Sequence, residues 1–143
     1  MNRSLVRLGF ILFLLALLTG LAVPAFARPQ LGVSAHLIAA MGGLVLIGVG
    51  AIWGALNLGA AAKRLLYWLW VAALFGNWLQ TLTASIVGGT RLMPIASGGV
   101  STPSVAETIL SGVIIFASLI ALVATILTIW GLRGAAAVAT GAE

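Results

Sequence analysis

The chain has 143 residues, 62% of them hydrophobic and only 6% charged, with a mean hydropathy of +1.24. A soluble domain of this size cannot hide so much apolar surface, so lipid must solvate a large part of it. Seven basic residues carry the net charge of +5, too sparse for a nucleic-acid footprint. The absence of cysteine excludes disulfides, thiolate zinc sites, iron–sulfur clusters and thiol nucleophiles.

The first apolar stretch runs from about Leu8 to Phe26. The basic "MNRSLVRLGF" before it and Ala25-Phe26-Ala27 after it have the form of a secretory signal. Its apolar run is longer than a usual signal core, so an uncleaved helix is expected. The second stretch spans about Val33 to Ala60 and the third about Leu65 to Val87. A Gly-, Ser- and Pro-rich connection follows, from Gly88 to Ser104. The fourth stretch runs from about Val105 to Leu132, with Ser104-x-x-Glu107 as a capping box at its start. About 20 residues at ~1.5 Å each cross a hydrocarbon core of about 30 Å. None of the four runs alternates as a barrel strand does. The expectation is an all-α integral membrane protein: one domain over 1–143, a four-transmembrane-helix bundle. The tail after Arg133 reads as frayed.

Basic residues set the orientation. With the N-terminus inside, Arg3, Arg7, Lys63, Arg64 and Arg133 lie on the cytoplasmic side and Arg28 and Arg91 outside. Both termini are therefore expected in the cytoplasm. Trp53, Tyr67, Trp68, Trp70 and Trp130 fall at the inner interface as an aromatic belt, whereas Trp78 lies well inside the third helix.

Polar groups within a membrane helix are costly and point to sites. His36 is the only histidine. It reads either as an interfacial or hydrogen-bonded side chain, or as a proton carrier or a metal or haem ligand. Catalytic zinc needs about three protein ligands, whereas haem needs one axial imidazole. In the third helix, Asn77, Thr81 and Ser85 recur every fourth residue with Gln80 beside them, as interhelical glue or as a site. Residue counting puts His36 and Thr81 in the outer half of the membrane, with Glu107 and Arg91 near that depth. Gly42, Gly43, Gly48, Gly50, Gly54 and Gly59 enrich the second helix. Gly50-x-x-x-Gly54 permits close helix approach, and a flat cofactor against this glycine face is an alternative. A small transporter, a haem-carrying electron-transfer subunit and a structural partner remain open readings. Midplane charges, internal repeats and a second axial histidine are all missing for the first two.

"NRSLVRLGFILFLLALLTGL", "LGVSAHL", "NWLQTLTAS" and "RLMPIASGG" together resemble the bacterial hydroxylaminobenzene mutases, relatives of styrene oxide isomerase, over about residues 2–133. The resemblance implies a homotrimer with haem b between neighbouring subunits. His36 would be the axial iron ligand, Asn77 would match an asparagine of the isomerase's third helix, and ferric iron would act as a Lewis acid without net electron transfer. Gly42 and Gly43 would lie beside the cofactor. The pocket departs from the isomerase: Gly42 replaces an asparagine, Thr81 a tyrosine and Ala73 an aspartate. A glutamate expected in the mutases near Ile38 is absent. The implied reaction is rearrangement of hydroxylaminobenzene to 2-aminophenol, a step of nitroaromatic degradation. The substrate ring would pack on Trp78, and Asn77, Gln80 or Thr81 would hydrogen-bond its polar end.

Overall fold

A computed structural model describes residues 1–88, Ile95, Gly98 and 104–133, with the side chains of 104, 106 and 107 left out. Four helices follow one another: α1 (Arg3–Ala22), α2 (Pro29–Ile52), α3 (Ala60–Val87) and α4 (Ser104–Gly131). The boundaries move from those expected. α1 starts earlier because the Asn2 side chain accepts from the amides of Ser4 and Leu5, satisfying orphan donors of the first turn. It ends at Ala22, two residues before Pro24, which has no N–H to continue the ladder. Pro29 occupies the first turn of α2, where its fixed φ suits a helix start. α2 stops at Ile52 and gives way to a 3-10 turn, Trp53–Ala55. Gly54 is therefore outside the helix. Only Gly50 of the expected close-approach pair packs tightly, against Val6 and Asn2 of the N-terminal segment.

Successive helices run antiparallel. The Asn2 amide donates to Gly50 O at the far end of α2 (2.7 Å), and the Ser4 hydroxyl meets the Tyr67 hydroxyl of α3. α1 packs most closely on α2, α3 lies against α2, and α4 packs on α3. Small residues set the α1–α2 approach. A Cβ on Gly43 would stand 2.7 Å from Gly9 O, and one on Gly9 the same distance from Gly43 O. Leu5, Leu12, Ala16, Ala39, Leu46 and Leu66 are fully buried in the core that results. α1 is thus an integral part of the packed bundle.

At the opposite end, Gly88 ends α3 in the left-handed region (φ +109°), the cap conformation glycine adopts without strain. Arg28 closes this end: its amide donates to Ser85 O and its Nε to Gly88 O (3.1 Å). A guanidinium there faces the negative pole of the α3 dipole.

Among the described residues, three helical segments are long and apolar enough to cross a membrane: Arg3–Ala25, Pro29–Ala55 and Thr108–Gly131, with mean hydropathies of 2.4, 2.1 and 2.7. The chain is accordingly a helical membrane protein. α3, with 28 residues, has the length but is less apolar, since its tryptophans, tyrosine and polar stripe dilute the aliphatic residues. Of the residues expected in the belt, Trp68 and Trp130 are exposed, but Trp70 is 7% exposed. Its indole N–H donates to Thr128 Oγ1 of α4 at 3.1 Å, so Trp70 is a core residue joining two helices. Arg91, the Glu107 side chain of the expected capping box, and the tail after Arg133 lie outside the described residues.

Candidate active site

His36 sits in the α1–α2 seam. Its Nδ1 lies 2.7 Å from Ala16 O, and since a carbonyl can only accept, Nδ1 carries the proton. With Nδ1 engaged, Nε2 is the ring nitrogen left to act as a ligand. Gly20 makes room for the ring: a Cβ there would stand 2.8 Å from His36 Nδ1. Sequence reasoning did not reach Ala16, Gly20 or the neighbouring Thr19. The small-xxx-small spacing Ala16–Gly20 was the available signal.

The expected cofactor glycines face the wrong way to cradle a flat group within one chain. Cβ atoms on Gly43 would meet Gly9 O and Phe13, and one on Gly42 would meet Leu12 and Leu74. Helix packing fills that face. The face of α2 left open near His36 carries Val33, Leu37 and Met41, all exposed.

The polar stripe of α3 forms a wired cluster. Thr81 Oγ1 donates to Asn77 O (2.9 Å). Gln80 Nε2 donates to Asn77 Oδ1 (3.1 Å) and to Thr81 Oγ1. Gln80 and Thr81 are 4% and 0% exposed, and Ser85 is fully buried, its hydroxyl donating to Leu82 O. Gln80 Oε1 is buried and has no hydrogen-bond partner among the described residues. Gln80 also lines a cavity of about 260 Å³ between α3 and α4, with Gly76, Leu79, Thr83, Ile109, Leu110 and Val113.

Trp78 points elsewhere. Its indole N–H donates to Thr19 Oγ1 of α1 at 3.2 Å, and Thr19 in turn donates to Leu15 O. Trp78 lines an apolar groove of about 260 Å³ between α1 and α3, with Leu15, Leu18, Phe26, Leu82 and Ile86 among its walls. The single site expected from sequence is therefore divided within one chain. His36 occupies the α1–α2 seam, Trp78 the α1–α3 groove, and the Asn77–Gln80–Thr81 cluster borders α4. They do share a depth. Gly42 faces Leu74 across the α2–α3 seam and Leu31 clusters with Ala84. Stepping six residues back from Gly42 and six forward from Leu74 sets His36 level with Gln80.

No group of three or more His, Cys, Asp or Glu assembles among the described residues. The fold and site together define a small helical membrane protein. Among the described residues its candidate chemistry is one part-buried imidazole and one amide–hydroxyl cluster at the same depth. The chain belongs to the styrene oxide isomerase family, whose model, described as styrene oxide isomerase, matches residues 1–133. It is 41% identical over 136 residues to hydroxylaminobenzene mutase HabB of Ectopseudomonas oleovorans, covering 94% of this chain and 83% of that one. It is 39% identical over 99 residues to hydroxylaminobenzene mutase HabA of the same organism, covering 68% and 73%. The chain is accordingly an isomerase of the mutase kind. No solved structure matches it.

Proposed function

We propose that the chain rearranges hydroxylaminobenzene, an aryl hydroxylamine, to 2-aminophenol within a bacterial inner membrane, using His36 as the axial ligand of haem b. Near-full-length similarity to two hydroxylaminobenzene mutases supports the substrate. The observation that carries the ligand role is the hydrogen bond from His36 Nδ1 to Ala16 O. Ligating imidazoles commonly give their other nitrogen's proton to a backbone carbonyl, which fixes ring orientation and raises ligand basicity. Nε2 is then the one free donor, as a haem axial site requires. Haem, when bound, would supply a Lewis acid for the substrate oxygen. With Gly42 and Gly43 packed against α1, the open apolar face at Val33, Leu37 and Met41 is where a neighbouring subunit of a homotrimer would close on the cofactor.

The protein's own residues do the rest. His36 keeps its ring fixed through the seam. Asn77, Gln80 and Thr81 orient the polar end of the substrate and hydrogen-bond charge developing on nitrogen or oxygen. Leu79, Ile109, Leu110 and Val113 exclude water, so that oxygen returns to the ortho ring carbon instead of being lost to solvent. Trp78, with its N–H committed to Thr19, clamps α1 to α3 at this depth. We further propose that α3 is the fourth span, because its polar stripe turns inward onto Gln80, Thr81 and Ser85, and that both termini are cytoplasmic.

The test is turnover and absorption of detergent-purified protein beside His36→Ala. Conversion of hydroxylaminobenzene to 2-aminophenol with a haem Soret band, both lost in the variant, is the expected result. A colourless protein that turns over, or a variant that keeps the band, would overturn the ligand role.

A further inference from the structure

The basic residues are spread unevenly among the helix ends. Arg3 and Arg7 lie in the first two turns of α1, and Lys63 and Arg64 in the first two turns of α3. A helix N-terminus is the positive pole of its dipole, so cations there are disfavoured, and neither first turn carries an acidic residue to offset them. The C-terminal end of α2 lies on the same side of the bundle and would favour cations, yet its last turn has none. Sidedness across a membrane asks only that basic residues lie on one side. It does not explain why they gather on the two helices whose dipoles oppose them.

The fold joins the two pairs. The Ser4 and Tyr67 hydroxyls lie 2.9 Å apart, so the starts of α1 and α3 meet. Arg3 adjoins Ser4 and Arg7 follows it by three residues, while Lys63 and Arg64 precede Tyr67 by four and three, spacings that share a helix face. Arg3, Arg7 and Arg64 are exposed and Lys63 is half-buried. Like charges so placed repel one another, and no carboxylate stands among the described side chains at this end. Of the two acidic residues, Glu107 belongs to the first turn of α4. Gly131, at the other end of α4, is the one beside Leu58 of the α2–α3 connection, so Glu107 lies at the opposite end of the bundle. Glu143 lies outside the described residues. Toward the membrane from the cations the surface is apolar, with Phe10, Ile11 and Leu14 of α1 and Leu65 and Trp68 of α3 exposed.

We propose that the joined starts of α1 and α3 bind the headgroup of an anionic phospholipid. Arg3, Arg7, Lys63 and Arg64 neutralise its phosphate, as basic pockets between membrane helices do, and the exposed apolar faces beside them take its acyl chains. The apolar surface selects a lipid over a free anion. Arg133 supplies an internal control. It is at the same end but follows α4, with its guanidinium 5.9 Å from the Trp130 ring centroid.

The full-length protein in neutral detergent is offered equimolar phosphatidylglycerol and zwitterionic phosphatidylcholine, and bound lipid is read by native mass spectrometry. One basic residue near a headgroup is worth about fivefold in affinity. The unmodified protein should favour phosphatidylglycerol by more than that factor. Arg64→Gln should cut the preference about fivefold, and Arg3→Gln combined with Arg7→Gln should cut it further, whereas Arg64→Lys should keep it. Arg133→Gln removes the same charge from the same end and should leave the preference unchanged. Equal losses in Arg64→Gln and Arg133→Gln would show a diffuse field and overturn the proposal. So would equal binding of the two lipids by the unmodified protein. Inorganic phosphate that raises the melting temperature as much as phosphatidylglycerol does would make the ligand a free anion and overturn the lipid assignment.

Discussion

Replacing Gly20 with alanine separates the role of His36 from its contribution to stability. The new Cβ would stand 2.8 Å from His36 Nδ1, where ordinary contact begins at 3.4 Å. The ring must therefore retreat by about 0.6 Å, enough to stretch its 2.7 Å bond to Ala16 O to about 3.3 Å, just past the ordinary range for such a bond. Losing one such bond costs about 1 kcal/mol. Alanine in place of a helical glycine returns about 1 kcal/mol of conformational entropy. The two terms nearly cancel, and the melting temperature in detergent should hardly move. The imidazole, however, loses the partner that fixes its tautomer, and loss of such a partner typically lowers metal affinity by 10- to 100-fold. Because the chain has a single histidine, selective 15N labelling gives one imidazole signal set. It should show Nδ1 protonated in the unmodified protein and a mixture of tautomers in Gly20→Ala. Haem titration of the same samples should show the affinity loss. An unchanged tautomer and unchanged haem affinity in the variant would refute the claim that Ala16 and Gly20 set the ligand.

Other outcomes follow from the same contacts. Gly43→Ala meets backbone at 2.7 Å, Gly9 O, with no side chain to yield. It should cost about 1–3 kcal/mol, seen as a lowered melting temperature that Gly48→Ala does not share. Thr128→Val leaves the buried Trp70 N–H without its acceptor and should destabilise by about 1 kcal/mol, with a shifted tryptophan emission as the second readout. Since the chain has no cysteine, single cysteines report topology. Ala61→Cys should react with an impermeant thiol reagent only from the cytoplasmic side and Ile95→Cys, at an exposed position, only from the outside. Labelling of both from one side would exclude α3 as a span.

Much of the architecture was legible in the chain. Helix count, approximate boundaries and the placement of Trp68 and Trp130 follow from local properties: apolar run length, glycine and proline punctuation, and the amphipathic character of indole. Two helix starts move because residues outside the apolar runs open them, Asn2 as the N-cap of α1 and Pro29 in the first turn of α2, whereas α1 ends early, ahead of Pro24 inside the run. The site residues were recognisable one by one, because a histidine or an amide in an apolar helix is conspicuous by its cost. How they face one another was not. Periodicity places Asn77, Gln80 and Thr81 on one stripe of α3, but it cannot say that this stripe meets α4 while Trp78 meets α1. Nor can it say that Gly42 and Gly43 are covered by α1.

The sequence by itself determined that lipid solvates this protein and that one imidazole and one amide–hydroxyl stripe are its available chemistry. Those conclusions depend on composition and on spacing within a helix. Only the tertiary structure decided that His36 gives its Nδ1 proton to Ala16 O and that Trp70 and Trp78 tie α3 to different neighbours, Thr128 of α4 and Thr19 of α1. Each depends on which atoms of separate helices come within hydrogen-bond reach. That is fixed by side-chain volumes across seams such as Gly9–Gly43, not by the order of residues along any one helix.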